Sequence, residues 1–191
     1  MKIILQRHAP TPGNLLGLYT GSTDEALAPE GIALARKVGP DMSVKRVYTS
    51  ALRRTAQTAA ILYPQAICHP SPDLNEMDFG VFEGQNWREL EGNGAYGAWL
   101  FSGCATACPG GESRDGFVAR CLRAFTAILR QEEGAETVHF LVHGGTIMAI
   151  MHAVVQPVQD FFAWKAAYCS GFCLESRAGS FTFYSYLPDF S

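Results

Sequence analysis

The first fourteen residues read MKIILQRHAPTPGN, in which the apolar run Ile3-Ile4-Leu5 leads directly to Arg7 and His8. A short apolar run bounded by polar residues is typical of a fully buried strand. We therefore predict a central strand here, with polar side chains where it ends. Residues 9–14 contain two prolines and a glycine, and this composition predicts a loop.

Beyond this strand, short apolar runs alternate with helical patterns. The predicted helices cover residues 29–38, 52–62, 117–129 and 146–155, the third of them amphipathic. The further predicted strands cover residues 47–49, 66–68, 138–142, 172–174 and 180–187. Residues 70–75 are predicted to form a loop, and residues 86–101 to be irregular or weakly helical. Alternating strands and helices predict an α/β fold with a largely parallel sheet.

The composition is that of a folded protein. The chain has 191 residues, of which 48% are hydrophobic and 17% are charged, whereas disordered chains are poor in apolar residues and rich in charge. This length favours one domain over residues 1–191. The net charge of −3 argues against nucleic acid as a partner. It does not exclude an anionic small molecule, because a few local arginines outweigh the mean charge.

The sequence gives no sign of export or of a membrane partner. Residues 1–6 are followed by Arg7 and His8 without a small-residue cleavage site, and no run of about 18 apolar residues is present. We therefore expect a cytoplasmic protein whose six cysteines are free thiols. Cys104/Cys108 and Cys169/Cys173 have a spacing that zinc sites also use, but buried cysteines often act as small hydrophobic residues, and we expect no metal.

Three predicted strands lead into residues suited to an anion. These residues are Arg7 and His8 after the first strand, Ser50 and Arg54 after the strand 47–49, and His143-Gly144-Gly145 after the strand 138–142. Ligands of α/β sheets bind beyond the carboxyl ends of the strands, so these side chains are expected to meet. Arginine makes planar bidentate contacts with phosphate. We predict a site for a small-molecule phosphate monoester or for free phosphate.

These residues fall in four motifs that resemble those of the histidine phosphatase superfamily, also called the phosphoglycerate mutase-like family. In chain order the motifs are Leu5-x-Arg7-His8-x-x-Thr11-x-x-Asn14, Ser50-x-Leu52-x-Arg54-x-x-Gln57-Thr58-Ala59, Leu74-Asn75-Glu76 with Phe79-Gly80 and Glu83-Gly84, and Val142-His143-Gly144-Gly145. The segment Tyr19-Thr20-Gly21 is similar to the family's continuation of the first motif. The resemblance implies a three-layer α/β/α sandwich with a mostly parallel central sheet.

The resemblance also implies a nucleophile and its phosphate ligands. His8 attacks phosphorus and becomes phosphohistidine, and Arg7, Arg54 and His143 hold the phosphoryl oxygens. Asn14 contributes to this site. The chemistry agrees with these roles, because a histidine nucleophile must be neutral and neighbouring arginines lower its pKa. Phosphoryl transfer spreads charge over three oxygens, which a cluster of cations stabilises.

The remaining implied roles concern proton transfer and substrate contact. Glu76 protonates the leaving oxygen and then deprotonates water, and Glu83 is the alternative acid if the segment that follows is rearranged. Further substrate contacts are expected from Thr11, Thr20, Gly21 and Gly144. The family needs neither a metal nor another cofactor.

One residue departs from the family pattern. Ala9 follows His8, where the family usually has glycine. A glycine there could serve a positive φ or a close backbone approach, and alanine disfavours both. The effect of Ala9 on the pocket beside His8 is therefore open at the level of sequence.

Mutases and phosphatases of the family share the phosphohistidine step, but the mutases have extra cations in the segment after the acid. Here residues 85–111, which are expected to cap the site, contain one cation, Arg88, and Arg114 follows alone. The segment is instead rich in aromatic and small residues, such as Trp87 and Trp99. This composition favours a phosphatase with an uncharged or aromatic leaving group over a phosphoglycerate mutase.

Within the phosphatases, the run Leu74-Asn75-Glu76-Met77, the pair Tyr96/Trp99 and Gly111-Glu112-Ser113 resemble the α-ribazole phosphatases of cobalamin biosynthesis. That resemblance implies α-ribazole 5′-phosphate as the substrate, and broad-specificity relatives share much of the pattern. Two other classes stay open: a non-catalytic protein that binds a phosphorylated ligand, and a phosphatase for protein phosphohistidine. The residues leave the physiological substrate and the oligomeric state undetermined.

Overall fold

The fold is built on parallel pairing of buried strands. The computed structural model describes residues 1–177 and 180–188. The strands in this part of the chain are β1 Lys2–Arg7, β2 Arg46–Ser50, β3 Ile67–Ser71, β4 Thr137–Val142, β5 Gly171–Arg177 and β6 Ser180–Tyr186. They form a sheet in the order β3-β2-β4-β1-β5-β6. The first four strands pair in parallel, and β5 and β6 continue the sheet in antiparallel pairing.

Helices cover both faces of this sheet. The α-helices of the described chain are α1 Pro12–Leu15, α2 Pro29–Val38, α3 Arg53–Leu62, α4 Gly94–Phe101, α5 Arg114–Gln131 and α6 Gly144–Val154. Short 3-10 turns lie at Pro72–Leu74, Gly80–Phe82 and Phe161–Trp164. One layer is formed by α2 and α3 and the other by α5 and α6. The predicted three-layer α/β/α sandwich with a mostly parallel sheet is confirmed.

The central strands are buried on both sides, because successive side chains point to opposite faces of the sheet. In β4, Phe140 packs with Phe125 of α5 at a ring-centroid distance of 5.3 Å. The next residue, Leu141, packs in the opposite layer with Ala35 of α2 and Leu62 of α3. This double burial explains why the strands are continuous apolar runs in the sequence.

The segment 9–14 differs from its prediction as a loop, because it contains the start of α1. Thr11 caps this helix: its hydroxyl accepts from the backbone N–H of Asn14 at 3.3 Å, and the Asn14 side chain accepts from the N–H of Thr11 at 3.2 Å. Pro12 suits the first helical position, whose N–H has no partner in any helix. A capping pair that uses asparagine in place of the commoner Glu or Gln is a weak sequence signal.

Residues 70–75 were also predicted to be a loop, yet β3 continues through Pro70 to Ser71. Proline is tolerated there because β3 is an edge strand of the sheet, where a missing N–H need not have a partner. Its burial is low, so an apolar pattern does not mark it.

The segment predicted to be irregular or weakly helical, residues 86–101, contains the regular helix α4. Asn93 begins this helix, since its side-chain oxygen accepts from the N–H groups of Ala95 at 3.0 Å and Tyr96 at 3.1 Å. Glycine and aromatic residues have low helix propensity, which hides the helix in the sequence. The cap and tertiary packing of Tyr96 and Trp99 offset that deficit.

None of the helices in the described ranges combines the length and apolar character needed to cross a membrane. All six cysteines are free thiols, and Cys108, Cys121, Cys169 and Cys173 are buried. No group of three or more potential histidine, cysteine or carboxylate metal ligands occurs among residues 1–177 and 180–188.

The packing of the sheet against α5 yields a stability prediction. Phe125 is fully buried between Phe140 and Phe181, so Phe125→Ala should lower the free energy of unfolding by about 3–5 kcal/mol through lost burial and an unfilled cavity. The matched control is Phe101→Ala, whose side chain is 96% exposed, with an expected change within about 0.5 kcal/mol. Urea denaturation measures both, and equal losses would contradict this core.

Candidate active site

The carboxyl ends of three neighbouring strands meet at one edge of the sheet. Arg7 of β1 is in register with Val142 of β4, and the N–H of His8 donates to the carbonyl of Val142 at 2.9 Å. The rings of His8 and His143 are edge to face, with centroids 4.9 Å apart. Ser50, at the end of β2, contacts the second of these rings at 2.8 Å. The structure thus brings together the polar residues that follow the three strands.

His8 is held as a neutral imidazole with a defined tautomer. Its Nδ1 lies 2.6 Å from the carbonyl oxygen of Ala9, and because a carbonyl only accepts, Nδ1 carries the hydrogen and Nε2 keeps its lone pair. The side chain is 3% exposed. Burial, followed by the charges of Arg54 and Arg7, lowers the pKa of His8 well below its usual value. These are the properties required of a histidine nucleophile.

The alanine after this histidine is packed in the protein core. Ala9 is fully buried, and its N–H donates to the Thr58 hydroxyl at 3.1 Å. Its methyl group packs with Leu27 and Ala59 in the layer of α2 and α3. Its backbone φ is not in the left-handed region, so glycine is not required.

His143 is also neutral, and both of its ring nitrogens bind protein groups. Nδ1 accepts from Nε of Arg54 at 3.1 Å, so Nε2 carries the hydrogen and donates to the Ser50 hydroxyl at 2.8 Å. Burial, followed by His8 and the nearby arginines, lowers the pKa of His143 well below its usual value. In this arrangement the ring of His143 is fixed against the ring of His8.

Arg54 lies deeper than a surface ligand of phosphate would. Its guanidinium is fully buried and donates to the carbonyls of Thr23 and Gly21, each at 2.8 Å, and of Thr20 at 3.4 Å. Its Nε donates to His143. All three nitrogens therefore have protein acceptors, and the charge of Arg54 lowers the pKa of His8.

Arg7, in contrast, faces a cavity. Its Nη1 donates to the carbonyl of Ala166 at 2.7 Å, and its Cζ lies 3.8 Å from the ring centroid of Tyr168, a cation–π distance. Its Nε is buried and has no partner among residues 1–177 and 180–188, which leaves a donor for an anion. Gly144 permits this placement, since a Cβ there would lie 3.3 Å from that Nε. Tyr168 belongs to no motif, so sequence reasoning misses it.

Glu76 lies on the same cavity and is held by the start of α6. Its Oε2 accepts from the N–H of Gly145 at 2.8 Å, and its Oε1 accepts from its neighbour Met77 at 2.9 Å. Gly145 is needed here, because a Cβ would lie 2.1 Å from the carboxylate. Burial raises the pKa of Glu76, against the lowering effect of these hydrogen bonds and of Arg54 and Arg7. A carboxyl with a raised pKa suits a general acid.

Glu83, the alternative acid, occupies a different place. Its carboxylate accepts hydrogen bonds from backbone N–H groups of residues 21–23 and of Phe79. It does not line the cavity, whereas Glu76 does. The geometry therefore favours Glu76 as the residue that can exchange a proton with a ligand.

The cavity has a volume of about 660 Å³. Some of the residues predicted to contact the substrate line it, and others do not. Asn14, Thr20 and Gly144 line it, as do Arg7 and Glu76. Thr11 and Gly21 do not. The Thr11 hydroxyl caps α1, and Gly21 packs so closely on the segment of Met77 that a Cβ would lie 1.8 Å from the Met77 carbonyl oxygen.

The outer part of the cavity is largely aromatic. Its rings come from Tyr19, Phe79, Trp99, Phe117, Phe161 and Phe162, and the segment 85–111 also contributes Leu100, Gly103 and Cys104 to the wall. Two further cations, Arg114 and Lys165, also line it, and neither forms a salt bridge within the described residues. Lys165 lies in the loop before β5, outside residues 85–111, so the composition of that segment does not predict it. The cavity therefore has two cations that the composition of residues 85–111 does not predict.

Comparison with known proteins identifies the family. The sequence profile of the histidine phosphatase superfamily, branch 1, matches residues 3–187. The chain therefore belongs to the histidine phosphatase superfamily, branch 1, as the four motifs predict.

Relatives of three kinds are similar to this chain. A metal-independent phosphoserine phosphatase from Arabidopsis thaliana is 31% identical over 165 residues, covering 81% of this chain and 69% of that protein. A 2,3-bisphosphoglycerate-dependent phosphoglycerate mutase from Methylobacterium radiotolerans is 32% identical over 165 residues, covering 78% and 76%. The structure of the alpha-ribazole phosphatase from Shigella flexneri superposes with a TM-score of 0.88 at 26% identity, covering 98% and 96%. The predicted enzyme class, a phosphatase, is confirmed at this level.

The electrostatics of the site predict how His8 titrates. Because burial and two arginines lower its pKa, we expect its ring to stay neutral in the folded protein well below pH 6.5, where a free histidine is half protonated. NMR titration of ring-¹⁵N-labelled protein measures this pKa, with the urea-unfolded chain as the control. A folded-state pKa equal to or above the unfolded value would contradict the neutral nucleophile.

The same shift has a consequence for stability. A depressed folded pKa means that the unfolded chain binds more protons, so the free energy of unfolding should fall as pH drops below about 6.5. His8→Asn removes one such group, and its stability should fall less steeply over the same pH range. Urea denaturation at several pH values compares the two slopes, and identical slopes would argue against a buried neutral His8.

Proposed function

We propose that the protein hydrolyses a small-molecule phosphate monoester through a phosphohistidine at His8, with a bulky aromatic leaving group such as that of α-ribazole 5′-phosphate. The observation that carries the proposal is an aromatic cavity lined by Arg7, whose buried Nε has no acceptor within the described part of the chain, next in sequence to the neutral, buried His8. The segment 85–111 serves as the cap of this site, within one domain that spans residues 1–191.

In the first step, Nε2 of His8 donates its lone pair to phosphorus and the bond from phosphorus to the ester oxygen breaks. Protonated Glu76 gives its proton to the leaving oxygen, which departs as an alcohol. The Ala9 carbonyl, bonded to Nδ1–H, supports the positive charge that develops on the imidazole. Arg7 contacts the phosphoryl oxygens, and Arg54 and His143 stabilise the site from behind.

In the second step, Glu76 is a carboxylate and accepts a proton from water. The water oxygen attacks phosphorus, the bond from phosphorus to Nε2 breaks, and inorganic phosphate leaves. Glu76 is then protonated and His8 is neutral, as at the start. No metal ion takes part in this proposed cycle.

The size and lining of the cavity support a large leaving group. A cavity of about 660 Å³ lies in the range of sites for drug-sized ligands, about 300–1,000 Å³. Aromatic walls favour a flat ring, which stacks on them and contributes about 0.5–1.5 kcal/mol per ring pair. The benzimidazole riboside of α-ribazole 5′-phosphate fits these properties better than the few atoms of phosphoserine.

A second candidate, phosphoglycerate mutase, is favoured by one observation. Arg114 and Lys165 give the cavity two cations that could bind the second charged end of such a substrate. The mutase relative is consistent with this alternative. Formation of 2-phosphoglycerate from 3-phosphoglycerate and bisphosphoglycerate would establish the mutase, whereas release of inorganic phosphate from α-ribazole 5′-phosphate would establish the phosphatase.

The covalent step is tested directly. Rapid quenching with ³²P-labelled substrate should trap an acid-labile phosphoenzyme, and His8→Asn should abolish it and lower kcat by at least about 10³-fold. EDTA should leave the activity unchanged. A folded His8→Asn variant that still binds phosphate tightly, together with a wild-type protein that turns over no ester, would identify a non-catalytic binding protein instead.

The aromatic wall is tested by substrate choice. Phe162 lines the cavity and is 38% exposed, so Phe162→Ala should fold and should raise KM for α-ribazole 5′-phosphate by about 3–10-fold through lost stacking. The KM for glycerol 2-phosphate, which has no ring, should change less. Tyr184→Ala, at an exposed aromatic residue of β6 away from the cavity, is the matched control. Equal effects on both substrates would refute an aromatic leaving-group site.

A further inference from the structure

The carboxylate of Glu83 collects hydrogen bonds from one short loop. Its Oε1 accepts from the N–H groups of Gly21 and Ser22, each at 2.9 Å, and of Phe79 at 3.1 Å. Its Oε2 accepts from the N–H of Gly21 at 3.0 Å and of Thr23 at 3.3 Å, and from the Thr23 hydroxyl at 2.6 Å. Hydrogen bonds to a charged acceptor are about twice as strong as neutral ones.

The same loop turns its carbonyl groups toward Arg54. The carbonyls of Thr20, Gly21 and Thr23 accept from the guanidinium of Arg54, whose Nε donates to His143. Residues 20–23 therefore bind the carboxylate of Glu83 through N–H groups and the guanidinium of Arg54 through carbonyl groups. A peptide group is planar, so fixing its N–H also fixes the carbonyl of the preceding residue.

We propose that Glu83 is a positioning residue of the active site: by holding residues 21–23, it fixes the guanidinium of Arg54 against His143 and His8. The proposal deepens the function proposed above, since it concerns the same nucleophile. It also explains why Glu83 belongs to a motif although it does not line the cavity.

The consequence for His8 follows from the charges around it. The groups that face its ring are Arg7 from β1, Arg54 from α3, His143 at the end of β4 and Tyr168 from the loop before β5. After burial, Arg54 is the main cause that lowers the pKa of His8. If the loop is released, Arg54 moves away from the ring and His8 binds a proton more readily.

Glu83→Gln is the informative variant. Glutamine keeps the size of the side chain but removes the charge, and its NH₂ group faces backbone N–H donors. Glu25→Gln is the matched control, because Glu25 also acts on the charge of Arg54 but accepts from Gly13 at 3.1 Å and makes no bond to residues 21–23. Both variants remove one negative charge near Arg54, and one of them releases the loop.

The readouts are the ring-¹⁵N titration of His8 and the hydrolysis of p-nitrophenyl phosphate. Glu83→Gln should raise the pKa of His8 by at least about half a unit and lower kcat at pH 6 by about 10–100-fold, with a smaller change in KM. Glu25→Gln should leave the titration unchanged and kcat within about twofold of wild type. A purely structural role of Glu83 would lower stability without moving the titration of His8.

Two outcomes would overturn the proposal: a folded Glu83→Gln protein with wild-type titration and kcat, or the same changes in Glu25→Gln. If Glu83→Gln fails to fold, Thr23→Val decides, since it removes one donor to Glu83 at an exposed position. It should shift the titration of His8 in the same direction by a smaller amount, and no shift would overturn the proposal. If the wild-type protein hydrolyses no ester, the proposed function fails, and the titration alone still tests the positioning role.

Discussion

The buried guanidinium of Arg54 is the charge on which the site depends. A charge removed from water is costly unless it is hydrogen-bonded, and removing one of its partners leaves that cost uncompensated. Arg54 meets the requirement with three backbone carbonyls and one imidazole nitrogen. Those acceptors come from the loop 20–23 and from the end of β4, so burial of this cation requires both to be in place. The fold and the charge environment of His8 are therefore set by the same contacts.

The two arginines and the two glutamates of the site differ in whether they line the cavity. Arg7 and Glu76 line the cavity: the Nε of Arg7 has no acceptor within the described part of the chain, and burial raises the pKa of Glu76. Arg54 and Glu83 lie behind them and contact protein groups. In the proposed phosphoryl transfer, where catalysis is mostly placement of charge, the buried pair would hold the pair at the cavity in position.

Much of the sandwich and of the site could be predicted from the sequence, because buried parallel strands are continuous apolar runs and the motifs follow their ends. The sequence predicts no more than weak helicity for α4, because the stability of this helix comes from the Asn93 cap and from packing, which helix propensity does not report. Tyr168 and Lys165 were missed for a different reason: they reach the cavity through the fold and belong to no local pattern. The burial of Arg54 depends on backbone carbonyl groups. Because every residue has a carbonyl group, no pattern of side chains in the sequence predicts this burial.

The alanine after His8 affects the conformational entropy of the unfolded chain. Its backbone is in an ordinary region and its methyl group is packed in the core, so the native state accepts it without strain. A glycine at the same place would have more conformations to lose on folding, a difference of about 0.4–1 kcal/mol. Ala9 thus reduces the conformational entropy that is lost when the segment that carries His8 becomes ordered.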